Sequence, residues 1–374
     1  LYVLIFLTAP VTADFFGDPD IVPMLRVLSL LLFTGSVVSV EMAIVARKMS
    51  FGMQCRATIL ADIISGAIGV AAALKGLGTW ALILQQLIKN AALMLILNIS
   101  LGWRPMFIVS AERIGALFSY GWKVLVSGLI DTIYTNIYTP VISKLYNSAM
   151  VGYYNRGNQF PQVIVFSMAQ TMQAVMLPAF SKTQSDKEMA RKMLRRAIKL
   201  SSFVMFPMMF GIMATAEPIV RILLGEQWMP AVPLLRLCCL SYSVWHLHVA
   251  NLQAINANGR SDIYLKLEII KKLVGTAVLV LSVRMGITGM ILMKALVDYL
   301  TTFINGYPNK DIIGYGPAAQ WNDILPEFSL AAAMAVVVYL LQVLFGVFGI
   351  IDMGSTGGAV IGLAIAVVAG VVIY

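Results

Sequence analysis

Long apolar stretches, each closed by a short segment carrying Gly, Pro or charge, recur from one end of the chain to the other. They predict spans over 1–13, 21–45, 57–75, 79–101, 115–143, 150–180, 198–216, 231–255, 268–284, 287–306, 328–350 and 354–374. A bilayer core takes about 20 helical residues to cross, and most of these stretches reach or approach that length. A closed membrane barrel would instead show alternating segments of roughly ten residues. The pattern predicts an all-α membrane protein with about 12 transmembrane helices.

Composition narrows the class. Of 374 residues, 59% are hydrophobic and 12% charged, against about 25% charged in soluble domains, which excludes a soluble globular protein. The net charge of +9 sits in alternate loops: Arg47, Lys48 and Arg56; Arg104 and Arg113; Lys182, Lys187, Arg191, Lys192, Arg195, Arg196 and Lys199; Arg260, Lys266, Lys271 and Lys272. Short loops rich in Lys and Arg stay in the cytoplasm, so this distribution reads as topology and not as a nucleic-acid surface. Leu1 then enters from the cytoplasmic side. Residues 186–201 set Met189, Met193, Leu194, Ala197 and Ile198 at helical spacing among basic side chains, which predicts a helix lying at the cytoplasmic interface, either a topology anchor or a lipid-binding element.

Two segments repeat. Phe15–Leu30 reads FFGDPDIVPMLRVLSL and Leu223–Ser241 reads LLGEQWMPAVPLLRLCCLS. Each has Gly followed by an acidic residue ahead of a span, then Pro-aliphatic-Leu-Arg ending at Arg26 or Arg236. A duplication about an axis along the membrane normal produces such a match. It makes 1–101 a partial N-terminal lobe without its first two helices, 102–114 a cytoplasmic linker, 115–306 a six-helix C-terminal lobe and 307–374 a final pair. The intact protein would then have 14 helices as 6+6+2, and both ends of this chain read as cut.

Charged side chains inside spans are costly and usually face a bundle interior or an aqueous cavity, so they are the candidate site. Lys123, Ser127, Asp131, Tyr134 and Tyr138 follow one another at steps of three and four, on one helical face. Lys123 is a cavity cation or a side chain snorkelling to the interface; Asp131 lines the cavity or packs against a neighbouring helix. Asn155, Arg156 and Gln159 precede Pro161, where a helix is apt to bend. Arg156 offers a planar fork suited to phosphate or anchors the outer interface. Lys294 and Asp298 lie four apart, with Thr302 and Asn305 continuing their face; they neutralise each other or couple transport to an ion. Asp62 and Lys89 are the first-lobe candidates of the same kind. Pro140, Gly157, Pro161, Pro178, Pro207, Gly211 and Pro218 are positions where the spans are expected to bend. No cysteine or histidine spacing suggests a metal, and no cofactor is expected.

The segments GYYNRGNQFPQ (Gly152–Gln162), LPAFSKTQSDKE (Leu177–Glu188) and LLGEQWMPAVPLLRLCC (Leu223–Cys239) resemble the polysaccharide transporter family of O-antigen, capsule and colanic-acid flippases. That family belongs to the multidrug/oligosaccharidyl-lipid/polysaccharide exporter superfamily. The resemblance implies two helical lobes arranged as a V, alternating access, and an undecaprenyl-diphosphate-linked oligosaccharide turned across the bacterial cytoplasmic (inner) membrane. It implies a cation-lined cavity and partners among membrane lipids, a polysaccharide polymerase and glycosyltransferases. A multidrug exporter of the same superfamily is the competing transport reading, and acidic, aromatic lining would mark it. A membrane glycan polymerase would need a sizeable outer loop bearing acid, base or nucleophile groups, and the predicted outer loops are short; an enzyme is not expected.

Overall fold

The computed structural model describes residues 1–48, 50–102, 115, 122, 125–126, 128–130, 132–181, 186–348 and 355–374. The chain divides into two units, Leu1–Asp131 and Thr132–Tyr374. In the first, α1 (Tyr2–Phe16) ends at Gly17, whose φ of 71° makes a left-handed cap open to glycine at no steric cost. It is followed by α2 (Ile21–Leu28), α3 (Leu31–Arg47), α4 (Phe51–Leu74) and α5 (Thr79–Leu101). Both α3 and α4 pack on α5, around Val45, Ala57, Ala61, Leu93 and Leu97.

The second unit holds α6 (Tyr138–Leu145), α7 (Ser148–Ser181), α8 (Lys187–Ala214), α9 (Ala216–Leu223), α10 (Val232–Tyr242), α11 (Trp245–Ala257), α12 (Ser261–Ser282), α13 (Gly286–Ile313), α14 (Pro317–Val347) and α15 (Thr356–Ile373). Short 3-10 turns cover Glu226–Ala231 and Val283–Met285. Helix α14 lies along α8, α10 and α11 pack on α7, and α13 packs on α10, α11 and α12.

Polar and apolar surface are distributed as a bilayer requires. Side chains such as Leu74, Ile99, Leu281 and Val372 are more than three-quarters exposed, whereas Ser202, His246, Asn251, Asn305, Asn309 and Gln320 are almost wholly buried. In water that arrangement would expose far more contiguous apolar surface than a soluble chain tolerates; in lipid it is the stable one. Among the described residues six stretches are long and apolar enough to cross: Ile21–Val45, Gly52–Leu74, Thr79–Leu101, Lys187–Ala214, Asp262–Ile313 and Pro317–Val347. One of these, Asp262–Ile313, contains both α12 and α13. Most of the predicted span 115–143 lies outside the described residues.

Two expectations change. The interfacial helix over 186–201 and the span over 198–216 form one continuous helix, α8. Asp186 caps it by accepting from the Met189 backbone N–H at 3.0 Å. The buried stripe Ala190, Leu194, Ile198, Ser201, Ser202, Met205 and Met209 then runs on without a break. The spans over 21–45 and 231–255 are each interrupted, at Ser29–Leu30 and at Ser243–Val244. At each interruption a buried serine Oγ donates to the carbonyl three residues back, Ser29 to Arg26 and Ser243 to Leu240, both at 2.7 Å. Ser201 makes the same bond to Ile198 inside the unbroken α8, so the bond accompanies the interruptions without causing them. The two repeats thus share a device as well as a motif, and Arg26 and Arg236 each lie over an aromatic ring, Phe6 at 4.4 Å and Tyr339 at 5.3 Å.

Candidate functional site

Helix α13 carries the densest polar face in the second unit. Lys294 Nζ lies 2.8 Å from Asp298 Oδ2 and donates to Ser241 Oγ on α10 at 2.6 Å. Ser241 in turn donates to Asp298 Oδ2, closing a three-membered ring of hydrogen bonds. The charged side chains are only 22% and 19% exposed, and Nζ also sits 5.1 Å from the Tyr242 ring centroid. Each charge therefore has its partner close by, which is the condition for keeping an ion pair inside a membrane bundle.

One turn further along, the backbone carbonyl of Asp298 meets His248 Nε2 at 3.1 Å, and His248 Nδ1 meets Asn305 Nδ2 at 2.9 Å. The acceptor role of Nδ1 toward the Asn305 amide puts the ring proton on Nε2, donated to that carbonyl. Below this, Asn251 exchanges hydrogen bonds with Gln320 in both directions at 2.8 Å and accepts from Asn309 at 2.7 Å. Gln320 also donates to the Tyr315 carbonyl at 3.0 Å. The row ends where the Tyr315 hydroxyl donates to Asp323 at 2.7 Å, and Asp323 pairs with Arg195 at 2.5 Å. Polar side chains on α8, α10, α11, α13 and α14 thus form a ladder through the second unit, with the Lys294–Asp298 pair at one end and Arg195–Asp323 at the other.

Asn251→Leu tests the central rung. It would strip Gln320 Oε1 of its donor and leave the Asn309 amide only the residue-251 backbone carbonyl at 3.3 Å, and an orphaned buried group costs about 1–3 kcal/mol. We expect a total loss of about 2–4 kcal/mol, read as a lowered thermal midpoint in detergent, with no compensation from restoring hydrophobicity.

On α7, Asn155, Arg156 and Gln159 are all exposed on the surface of the unit. Arg156 Nη1 donates to Gln159 Oε1 at 2.9 Å, and its guanidinium sits 5.7 Å from the Trp228 ring centroid. Asn155 accepts from Thr139 Oγ1 at 3.3 Å. One hydrogen bond uses a single donor of the five in the fork, so Arg156 is steadied and still able to grip an anion at two points. Exposed polar groups of this kind on a span need water or a polar partner, because acyl chains offer neither.

In the first unit Lys89 Nζ and Asp62 Oδ1 pair at 2.5 Å across α5 and α4, with 38% and 49% of their side chains exposed. The structure therefore brings together Lys294 with Asp298, Asp62 with Lys89, and Asn155, Arg156 and Gln159 on one helix. Lys123 and Asp131, with Ser127, lie outside the described residues.

Several polar residues of the ladder escape a search for intramembrane charge. Asn251, Asn309 and Gln320 are uncharged, though Asn309 continues the face of Lys294, Asp298 and Asn305 at helical spacing. Glu41 is different: it lies within the predicted span 21–45 and answers to the same charge-in-a-span rule that singles out Lys294.

The comparisons with known proteins fit this architecture. Residues 1–233 match the family described as polysaccharide biosynthesis protein. The chain belongs to that family. It is 27% identical over 64% of its length to the succinoglycan biosynthesis transport protein ExoT of Rhizobium meliloti (strain 1021), covering 49% of that protein. It is 22% identical to the teichuronic acid biosynthesis protein TuaB of Bacillus subtilis (strain 168), covering 91% of this chain and 71% of TuaB. The lipopolysaccharide biosynthesis protein WzxC of Escherichia coli (strain K12) matches 91% of this chain at 22% identity, over 70% of its own length. The chain thus spans about half the length of ExoT and about 70% of the other two relatives. The fold is similar to that of lipid II flippase MurJ in its inward closed conformation, with a TM-score of 0.77 over all of this chain and 79% of MurJ at 14% identity. This is a multi-pass helical membrane protein of a polysaccharide-assembly family.

Proposed function

We propose that this chain is a flippase, or the larger part of one, that carries an undecaprenyl-diphosphate-linked oligosaccharide across the bacterial cytoplasmic (inner) membrane by alternating access. The observation that carries the reading is the match of ExoT, a named transport protein of polysaccharide biosynthesis, to nearly two-thirds of this chain. The resemblance of the whole fold to a lipid II flippase supports it. The physical task is to pass a diphosphate and several sugars through hydrocarbon while the polyprenyl tail stays in lipid. In the second unit Arg156, with Asn155 and Gln159 beside it, grips the diphosphate; Lys89, Lys123 and Asp131 of the first unit are its further substrate-binding candidates. The pairs Asp62–Lys89 and Lys294–Asp298 are the ion-coupling elements, since an incoming cation or proton can replace the lysine at its carboxylate. The protein moves its substrate and leaves its bonds intact, between the glycosyltransferases that build the glycan and the polymerase that uses it.

The test is transport of labelled undecaprenyl-diphosphate oligosaccharide in proteoliposomes. We expect Arg156→Ala and Lys123→Ala each to slow it by roughly tenfold or more, the worth of one charge-assisted hydrogen bond, at unchanged protein level. Arg156→Lys should recover part of the rate, because the charge survives and the two-point grip does not. Full transport by both single mutants and the double mutant would reject the assignment.

A further inference from the structure

Glu41 lies on α3 within a span long enough to cross the bilayer. Its side chain is wholly buried, at 0% exposure, and neither carboxyl oxygen completes a hydrogen bond. It stands between Val38 and Val45 at steps of three and four, on the face of α3 that meets Ala57 of α4 and Leu93 and Leu97 of α5. Asn98 of α5 is the polar side chain beside it.

Among the described residues, α3, α4 and α5 offer Glu41 no counter-charge. The other charged residues on these three helices are Arg47 and Arg56, which are exposed, and Asp62 and Lys89, which are bonded to each other. An unpaired carboxylate in such surroundings costs far more than binding a proton, so the group neutralises. From this geometry we propose that Glu41 is a proton-binding site: a neutral carboxyl while α3, α4 and α5 are closed on it, exchanging its proton with water when that corner opens. On opening, water accepts the proton and leaves a hydrated carboxylate; on closing, a hydronium ion returns the proton and becomes water. The closed corner holds one proton more than the open one. Acid therefore favours closure and alkali favours opening, by linkage. Within the transport reading Glu41 ties the proton gradient to rearrangement of the first unit; the proton site itself does not depend on that reading.

Dicyclohexylcarbodiimide is the probe, since it partitions into apolar sites and adds to protonated carboxyls. On the purified chain in lipid nanodiscs at neutral pH, peptide mass spectrometry is expected to find the adduct on Glu41 in preference to the exposed Asp14, Asp18 and Asp20. Labelling should fall as pH rises and vanish in Glu41→Gln, and a water-soluble carbodiimide should spare Glu41. An unlabelled Glu41, or equal labelling by both reagents, overturns the proton site. In proteoliposomes Glu41→Gln should flatten the pH dependence of glycan transport. A labelled Glu41 with an unaltered pH profile in that variant overturns the coupling while the proton site stands. A wild-type chain that labels and moves no glycan counts against the flippase alone.

Discussion

Asp298→Ala is expected to destabilise the second unit by about 3–5 kcal/mol, the cost of leaving one member of a buried pair without its partner. The ammonium of Lys294 would keep Ser241 Oγ at 2.6 Å and lose the carboxylate at 2.8 Å, and a hydroxyl dipole does not replace a charge. The Lys294→Ala change should cost a similar amount from the other side, stranding Asp298 with only Ser241. Removing both is a different experiment. Lys294→Met with Asp298→Leu fills the volume with apolar groups and strands no charge, so it should return stability to within about 1–2 kcal/mol of wild type or exceed it. Denaturation in detergent reads these values. Transport reads something else: if the pair couples an ion, the apolar double variant folds and fails to transport. A double variant that is stable and fully active would make the pair a structural filler, and one as unstable as the single variants would show that the polar contact itself holds α13 to α10.

The sequence makes much of this architecture legible, and its failures have physical reasons. Apolar length is a strong signal, so α4, α5 and α14, all long and apolar enough to cross, overlap the expected spans. Element breaks are harder to read: Ser29 and Ser243 stand at them with a side-chain bond to a carbonyl, and Ser201 and Thr301 make the same bond inside unbroken helices, so serine in a span does not mark a break. The continuity of α8 is hidden by charge: Arg191, Lys192, Arg195 and Arg196 look interfacial, while Ala190, Leu194 and Ile198 carry the buried stripe between them. The pairing of Lys294 with Asp298 is a direct consequence of i,i+4 spacing. Its setting depends on Ser241 and His248, which come from other helices and leave no mark near residue 298. The Lys89–Asp62 pair likewise forms across α4 and α5, where spacing along the chain says nothing of proximity.

Gly157→Ala is expected to cost about 1–3 kcal/mol through overpacking, the opposite of what a helix-favouring substitution does on an open face. A Cβ at this position would stand 2.9 Å from the Leu235 backbone N, 3.3 Å from the Ala231 carbonyl oxygen and 3.3 Å from Leu235 Cα. These are backbone atoms of the neighbouring segment and cannot rotate aside, so α7 would have to move off α10. Gly157 is therefore a point of close approach, and the bend expected there is not needed to explain it; α7 runs unbroken from Ser148 to Ser181. Because Arg156 is its chain neighbour and lies over Trp228, the same displacement should weaken the anion grip proposed for Arg156. Gly211 is the control. The nearest atom to a Cβ there is the flexible Met334 Cε at 3.9 Å, so Gly211→Ala should be neutral or stabilise by up to about 1 kcal/mol. Thermal unfolding of the two variants in detergent separates the readings. A hinge at 157 predicts slowed transport at unchanged stability, whereas a packing contact predicts a lower midpoint first, with transport falling in step.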